Sequence, residues 1–214
     1  TLIIIENHYL GSILKKKQFD TFYHEHPRTY SLKSFLHIAE LLNMKVIDYS
    51  MPKRYGGNIR VFLRKNEKKK EKKYSLIKKE KKFKVQFIEL QKFINYWKIR
   101  KLKILNKVFE KYGKLNGKAF PGRAAILIKS LGIDENLINA VYEKPKSKKN
   151  GFYVPGTKIP IKSDKVLFKK IRKIKFIINF AWHIDKEIKK YLKKNGFKGK
   201  VIDILDRNDL SWKK

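Results

Sequence analysis

The second half of the chain alternates short apolar segments with segments of helical periodicity, and this alternation limits the fold more than any other feature. It predicts, in turn, a glycine/proline turn and helix over 117–131, a strand over 138–142, a Pro/Gly-rich loop over 151–160, a helix over 163–171, a strand over 175–180, a helix over 185–194 and a strand over 201–205. Strands that alternate with helices form parallel sheets, which bind ligands at the carboxyl ends of their strands. The sequence therefore predicts a small α/β domain with a ligand site at that edge.

The first part of the chain predicts the closing portion of a larger α/β sheet. The pattern indicates a strand over 2–6, a helix over 31–42 with Ser31 as N-cap, and two strands over 45–49 and 59–63 that join through Gly56 and Gly57. The paired glycines permit either a turn with positive φ or the close approach of a ligand. Because the chain opens with Thr1 directly on a strand, we expect it to be the tail of a longer protein.

A block of charge separates these two parts. Residues 66–84 are rich in lysine and glutamate, as in Glu67-Lys-Lys-Lys-Glu-Lys-Lys73, and mixed signs at such short spacing favour an exposed helix. Apolar residues at helical spacing over 85–111 predict a connecting helix that buries one face. We therefore divide the chain into residues 1–65, a charged helical linker over 66–112 and the α/β domain over 113–214.

The net charge of +35 admits nucleic acid as a partner. However, only eight of the 54 basic residues are arginine, the residue that reads bases and phosphates with two parallel hydrogen bonds. The lysines are spread along the chain, so we interpret most of the charge as solvated surface and keep a basic nucleic-acid-binding module as the alternative function. The sequence has no cysteine and no apolar run near the roughly 20 residues of a membrane span, so we expect a cytoplasmic protein.

The segment Phe19-Asp-Thr-Phe-Tyr-His-Glu-His26 places a phenol, two imidazoles and a carboxylate in four consecutive residues. In an extended segment, Tyr23 and Glu25 would lie on one face and the two histidines on the other. Three interpretations are open. The segment is a polar loop, a metal site completed by carboxylates or other histidines, or a general acid/base site that exploits the titration of imidazole near neutral pH. The other histidines that could complete a metal site are His8, His37 and His183.

Five blocks of the sequence, in this order, carry a resemblance to a known family. They are Phe19-Asp-Thr-Phe-Tyr-His-Glu-His26, Tyr30-Ser-Leu-Lys-Ser34, Gly56-Gly-Asn-Ile-Arg60, Gly151-Phe-Tyr-Val-Pro-Gly-Thr-Lys-Ile-Pro-Ile161 and Ala181-Trp-His-Ile-Asp-Lys-Glu-Ile188. Together they resemble the C-terminal half of S-adenosylmethionine-dependent sugar C-methyltransferases, which act on nucleotide-linked keto-deoxysugars. The resemblance covers nearly the whole chain except the charged linker.

The resemblance implies an α/β fold in three parts. They are the tail of a class I methyltransferase Rossmann-like sheet, the charged helical linker and a small Rossmann-like domain that helps to enclose the substrate. The strand over 2–6 would be the fifth strand of the first sheet. The implied cofactor is S-adenosylmethionine, bound mainly upstream of Thr1, and zinc belongs only to an N-terminal segment that also lies upstream. The implied partner is a nucleotide-diphosphate keto-sugar, with neither nucleic acid nor a membrane.

The resemblance also implies catalytic residues. His26 would be the base that removes a proton next to the sugar keto group, and Glu25 would fix the tautomer of His26. Tyr23 would donate a hydrogen bond to the developing enolate oxygen. His24 would be a bystander. The segment Asn7-His-Tyr9 follows the first strand directly, so we expect it to border the mouth of this site.

In the second domain the resemblance implies substrate contacts from Arg123 and from Pro155, Gly156 and Thr157. Arg123 ends the stretch Gly117-Lys-Ala-Phe-Pro-Gly-Arg123, which resembles a phosphate-binding turn at a helix N-terminus. Family members usually carry a glycine-alanine pair before this proline, whereas this chain has Ala119 and the bulky Phe120. For Trp182 and Glu187, a substrate contact and a structural role are both open.

Overall fold

The computed structural model describes residues 1–65, 74–206 and Asp209, which form two compact units. The units are Thr1–Phe93 and Ile94–Lys214, and the boundary between them falls inside one long helix, α4 (Phe83–Tyr112). This helix confirms the predicted connecting helix. The charged run over 67–73 lies outside the described residues, so its predicted conformation stays a prediction.

The first unit is built on a three-stranded sheet. Its elements are β1 (Leu2–His8), α1 (Leu10–Lys16), α2 (Leu32–Leu41), β2 (Met44–Ser50), β3 (Asn58–Lys65) and α3 (Ser75–Glu80). The strand order is β1-β3-β2, and β3 is antiparallel to both neighbours, with Ile5 opposite Val61 and His8 opposite Asn58. The antiparallel pair predicted on either side of the two glycines is therefore confirmed.

Helix α2 starts at the predicted N-cap. Ser31 Oγ accepts a hydrogen bond from Ser34 N at 3.0 Å, and Ser34 Oγ accepts one from Ser31 N at 2.7 Å, which satisfies donors that the first helical turn leaves open. The helix packs its apolar face against β3 to form the core of this unit. The helix ends at Leu41, one residue before the predicted end, and Leu42 is 50% exposed.

Gly56 and Gly57 form a turn with positive φ angles of 90° and 122°. A Cβ atom at Gly57 would lie 2.6 Å from Ser12 Oγ, and one at Gly56 would overlap the side chain of Gln18. The glycines are thus needed because α1 and the residues after it approach this turn closely. The turn interpretation of the pair is confirmed.

The second unit is a five-stranded, fully parallel sheet. Its elements after α4 are β4 (Leu115–Lys118), α5 (Ala124–Leu131), β5 (Ile138–Glu143), β6 (Ile161–Ser163), α6 (Asp164–Lys170), β7 (Phe176–Asn179), α7 (Asp185–Lys194) and β8 (Lys200–Asp203). The strand order is β6-β5-β4-β7-β8. This confirms the predicted α/β fold. The order reverses between β4 and β7, and ligands of such sheets bind at that switch point, beyond the carboxyl ends of the strands.

Two of these strands were not predicted. The segment that forms β4 was assigned to a glycine turn, because its residues lack apolar alternation. Gly117 in fact lies inside β4, where a Cβ atom would overlap the ring of Phe180 and lie 2.9 Å from Val141 Cγ2. Strand β6 has only three residues and directly follows Pro160, so it carries almost no pattern. Among the described residues, no helix combines the length and apolar character that a membrane crossing needs.

Candidate active site

The segment that was predicted to carry catalysis begins with a buried, well-packed turn. Phe19, Asp20 and Thr21 form a buried turn of 3-10 helix. Thr21 Oγ1 donates a hydrogen bond to the Gln18 carbonyl at 2.8 Å, and the ring of Phe19 packs edge-on against that of Phe93. The following residues, 23–26, are half-buried or exposed. The chain therefore presents the polar side chains from a firmly anchored start.

Tyr23 is the centre of the contacts within this loop. Its hydroxyl donates a hydrogen bond to Glu25 Oε2 at 2.8 Å, and its carbonyl accepts one from His26 N at 2.8 Å. Its ring also lies edge-on to the imidazole of His26, with centroids 5.2 Å apart. The predicted pairing of Glu25 with His26 is not what the structure shows. Glu25 bonds to Tyr23 instead, and its other oxygen lies 4.0 Å from His24 Nε2.

His26 stacks on a second imidazole, that of His8. The ring centroids are 5.0 Å apart and the planes differ by 25°. His8 is the last residue of β1 and lies opposite Asn58 of β3. The carboxyl end of β1 therefore borders the loop, as the sequence predicted for the segment Asn7-His-Tyr9. The stacking itself was not predicted, because the two residues are 18 positions apart in the chain.

An ion-paired carboxylate holds this end of the sheet. Glu6 accepts hydrogen bonds from Arg54 Nε at 2.6 Å, Asn58 Nδ2 at 2.8 Å and Arg60 Nε at 2.8 Å. Hydrogen bonds from Arg54 first, then from Asn58 and Arg60, lower the pKa of Glu6 to about 2, although desolvation opposes them. Since Glu6 fixes the Asn58 amide through Nδ2, the buried Oδ1 of Asn58 has no hydrogen-bond partner among the described residues. Asn58, the residue of β3 that is paired with His8, thus carries a buried acceptor without a hydrogen-bond partner among the described residues.

The buried carboxylate of Glu80 joins the end of α3 to the start of α2 and to the residue that follows β1. Glu80 Oε1 accepts hydrogen bonds from the Tyr9 hydroxyl at 3.1 Å and from Leu32 N at 2.7 Å, and Oε2 accepts one from Lys33 N at 3.0 Å. Burial, and then the Glu80 carboxylate, raise the pKa of Tyr9 well above its usual range. Glu80 thereby caps α2 and ties it to the residue that follows His8. Its position in the charged stretch gave no signal of this role.

The metal interpretation gains no support from the structure. Within residues 1–65 and 74–206, together with Asp209, no three or more histidines and carboxylates are arranged to hold a metal ion. His37 lies on α2 with Nδ1 3.6 Å from Glu40 Oε2. His183 belongs to the second unit. His8 takes part in the stack described above.

In the second unit, Arg123 and Trp182 meet at the switch point of the sheet. Arg123 lies after β4 and Trp182 after β7, and the guanidinium carbon is 5.8 Å from the centre of the indole ring. Asn179 fixes the second loop, because its Oδ1 accepts a hydrogen bond from Ala181 N at 3.0 Å while its Nδ2 donates to Asp203 Oδ1 at 2.7 Å. The predicted Arg123 therefore lies where parallel sheets bind ligands.

The turn before Arg123 is held by side chains. Phe120 N donates a hydrogen bond to Glu143 Oε1 at 2.6 Å, and the Phe120 carbonyl accepts one from Lys149 Nζ at 2.5 Å. The Phe120 side chain is 5% exposed, so it fills the turn rather than facing a ligand. Ala119 has a φ of 61°, a conformation that favours glycine. The alanine thus takes a backbone conformation suited to the glycine of the family's usual pair.

The structure does not bring Pro155, Gly156 and Thr157 to Arg123. Thr157 Oγ1 donates to the Val154 carbonyl at 2.9 Å and accepts from Ile159 N at 3.1 Å, so it closes its own turn. Gly156 has a φ of 75° in this turn. Lys158 N next to the turn bonds to Glu135, which precedes β5 at the amino edge of the sheet. These three residues therefore lie beside the amino ends of the strands, whereas Arg123 follows the carboxyl end of β4, and the substrate contacts implied for them stay a prediction.

A buried ionic cluster that was not predicted lies at the end of β4. Lys118 Nζ is 3.0 Å from Asp164 Oδ2, and the Tyr191 hydroxyl donates to the same oxygen at 2.9 Å. Lys118 and Asp164 are 2% and 0% exposed. Burial first, and then Asp164, raise the pKa of Tyr191 to about 12. The cluster ties β4 to α6 and α7, whereas sequence alone shows only one more lysine among many.

Glu187, for which the sequence left a substrate contact and a structural role open, lies in the first turn of α7.

Comparison with known proteins identifies the family of the chain. A family model described as the C-methyltransferase C-terminal domain matches residues 53–203. A relative, the C-methyltransferase NovU of Streptomyces niveus, is 39% identical over 61 residues, which are 28% of this chain and 14% of that protein. The matched segment thus spans a small part of the length of that relative. Because the family model covers well over half of the sequence, the chain belongs to the family of the C-methyltransferase C-terminal domain.

Proposed function

We propose that this chain is the base-bearing and substrate-binding portion of a methyltransferase that methylates carbon in a nucleotide-linked keto-deoxysugar. The observation that carries the proposal is the placement of His26, which lies between the Tyr23 and His8 rings at the carboxyl end of β1. The family of the chain and the relative named a C-methyltransferase support carbon as the acceptor. The resemblance of its sequence blocks supports the sugar class.

In this proposal, His26 accepts the proton from the carbon next to the keto group. The electron pair of that C–H bond forms the enolate double bond, and the negative charge moves to the keto oxygen. An imidazole is suited to this step because it exchanges protons near neutral pH. The half-buried ring of His26 is in contact with the rings of His8 and Tyr23, so the incoming sugar would approach the part of the imidazole that these two rings leave open.

Tyr23 would stabilise the enolate oxygen. It has one hydroxyl proton, which goes to Glu25 in this structure, so it must exchange that hydrogen bond for one to the substrate. Such an exchange costs little because the Tyr23–Glu25 pair is exposed and Glu25 can be solvated. We therefore assign Glu25 to the positioning of Tyr23 rather than of His26.

S-adenosylmethionine would supply an electrophilic methyl group to the enolate carbon when it is bound. At the carboxyl end of β1 the structure presents His8 and the buried Tyr9, whose hydroxyl is bonded to Glu80. These residues offer no carboxylate for a ribose, so we assign no described residue to the cofactor.

In the second unit, Arg123 would bind the diphosphate of the substrate. Its guanidinium matches phosphate geometry, and its place at the switch point supports the assignment. We expect Arg123→Ala to raise the Kd of the full-length protein for a nucleotide-linked keto-deoxysugar by about tenfold or more, as for a hydrogen bond to a charged group. Thr157→Val should leave this Kd unchanged, and Arg172→Ala is the matched arginine control. Equal losses in Arg123→Ala and Arg172→Ala would reject the assignment.

The base is tested by deuterium exchange. The full-length protein is incubated in deuterium oxide with a nucleotide-linked keto-deoxysugar, and NMR follows the proton next to the keto group. We expect His26→Gln to abolish enzyme-dependent exchange while the Kd for the sugar nucleotide stays within about twofold. His37→Gln, at an exposed histidine of the same unit, should exchange like the wild type. Undiminished exchange in His26→Gln would remove His26 as the base.

A further inference from the structure

We infer that His8 is a positioning residue that holds the imidazole of His26 in its reactive orientation by ring stacking. The inference rests on the proposed role of His26 as the base. The two histidines differ in how their backbone is held. His26 lies on a loop outside the helices and strands, whereas His8 ends a strand that is paired along its length with β3.

The backbone of His8 is held by the pairing of β1 with β3 and by the contacts of neighbouring side chains. Its strand partner Asn58 is 6% exposed and has its amide fixed by Glu6. Glu6 in turn is held by Arg54 and Arg60. Directly after His8, Tyr9 N donates a hydrogen bond to the Gly57 carbonyl at 3.2 Å. Ion pairs and hydrogen bonds therefore hold the backbone on both sides of His8 and the strand residue opposite it.

The ring of His8 restrains the loop through its stacking contact with the ring of His26. A centroid distance of 5.0 Å and an interplanar angle of 25° lie within the range of favourable aromatic pairs. A second ring contact comes from Tyr23, whose ring plane makes an angle of 79° with that of His26. With one ring stacked on its face and another against it, the imidazole loses rotational freedom that the exposed loop would otherwise leave it. A base that is held in this way needs less reorganisation before it takes a proton.

The inference predicts that an aromatic ring, and not a second imidazole, is what position 8 requires. His8→Val removes the ring but keeps a residue that suits the end of a strand. We expect it to lower kcat for the deuterium exchange about fivefold with KM unchanged, because an aromatic pair of this kind contributes roughly that factor. His8→Phe keeps the ring and should stay within about twofold of the wild type. His37→Val is the matched histidine control.

A second readout does not depend on activity. Loss of the stacked ring should shift the NMR signals of the His26 imidazole carbon-bound protons in His8→Val, whereas His37→Val should leave them in place. Unchanged His26 signals and unchanged kcat in His8→Val would overturn the inference. It would also fail if His8→Phe lost as much activity as His8→Val, because the nitrogens of His8 would then matter. If His26→Gln retains exchange, the proposed function fails instead, and the NMR shifts still report whether the stack exists.

Discussion

Replacement of Glu80 should destabilise the first unit far more than its place in a lysine-rich stretch suggests. The carboxylate is 8% exposed and accepts three hydrogen bonds, from Tyr9 Oη, Leu32 N and Lys33 N. Glu80→Ala leaves all three donors without their acceptor, and two of them are the first amides of α2. At roughly 1 kcal/mol for each unsatisfied donor, the expected loss is about 3 kcal/mol. This corresponds to an opening equilibrium constant of the unit that is about 150-fold larger.

The assay must report on the first unit alone. All three tryptophans of the sequence, at positions 97, 182 and 212, fall within the range of the second unit, so their fluorescence does not report on the first unit. Native-state hydrogen exchange, read by mass spectrometry on peptides of α2, measures the local free energy of opening. The control is Glu40→Ala, which removes a glutamate whose side chain is 81% exposed on the same helix and should cost less than about 0.5 kcal/mol. Equal protection of α2 in Glu80→Ala and Glu40→Ala would refute the reasoning.

Two further predictions concern backbone strain and acid. Ala119→Gly should stabilise the second unit by about 0.5 kcal/mol, because relief of a φ of 61° outweighs the entropy that glycine adds to the unfolded chain; a decrease in the thermal midpoint would contradict this. Glu6 has a pKa of about 2 in the folded protein, below its ordinary value of 4.5, so its ionised form favours folding. Its contribution should be complete above about pH 4.5 and be lost as the pH falls towards 2. Hydrogen exchange of β1 in Glu6→Gln should therefore lack part of the pH dependence of the wild type in that window, and identical pH profiles would count against the ion pairs with Arg54 and Arg60.

Periodicity was sufficient for most of the fold, because most elements bury one regular apolar face. Helix α2 is an example, with its serine cap and its buried Leu32 and Phe35. Strand β4 was not predicted, because its residues lack apolar alternation and are buried only by the strands and side chains that pack around them. Position 117 requires glycine because a Cβ atom there would overlap the ring of Phe180. No local sequence pattern encodes a contact between residues so far apart in the chain.

The candidate sites were predicted in part. The loop from Tyr23 to His26 stood out because its residues are adjacent in the chain. His8, whose ring stacks on His26, and Glu80, which bonds to Tyr9 and to the start of α2, belong to other elements and reach these places only after folding. For the second unit, the loop of Thr157 was grouped with Arg123 by resemblance alone. Since sequence order does not show which edge of a sheet a loop reaches, only the structure separates them.

The central claim is that the full-length protein forms a carbon–carbon bond on a keto-sugar. The most direct measurement supplies S-adenosylmethionine with a carbon-13 methyl group, together with a nucleotide-linked keto-deoxysugar, and locates the label by NMR. We expect a methyl carbon bonded to the carbon next to the keto group, and no such product from His26→Gln. Label on oxygen or nitrogen would contradict it. So would the absence of transfer together with nucleic-acid binding that weakens steeply with salt and survives His26→Gln, which is the behaviour of a basic binding module.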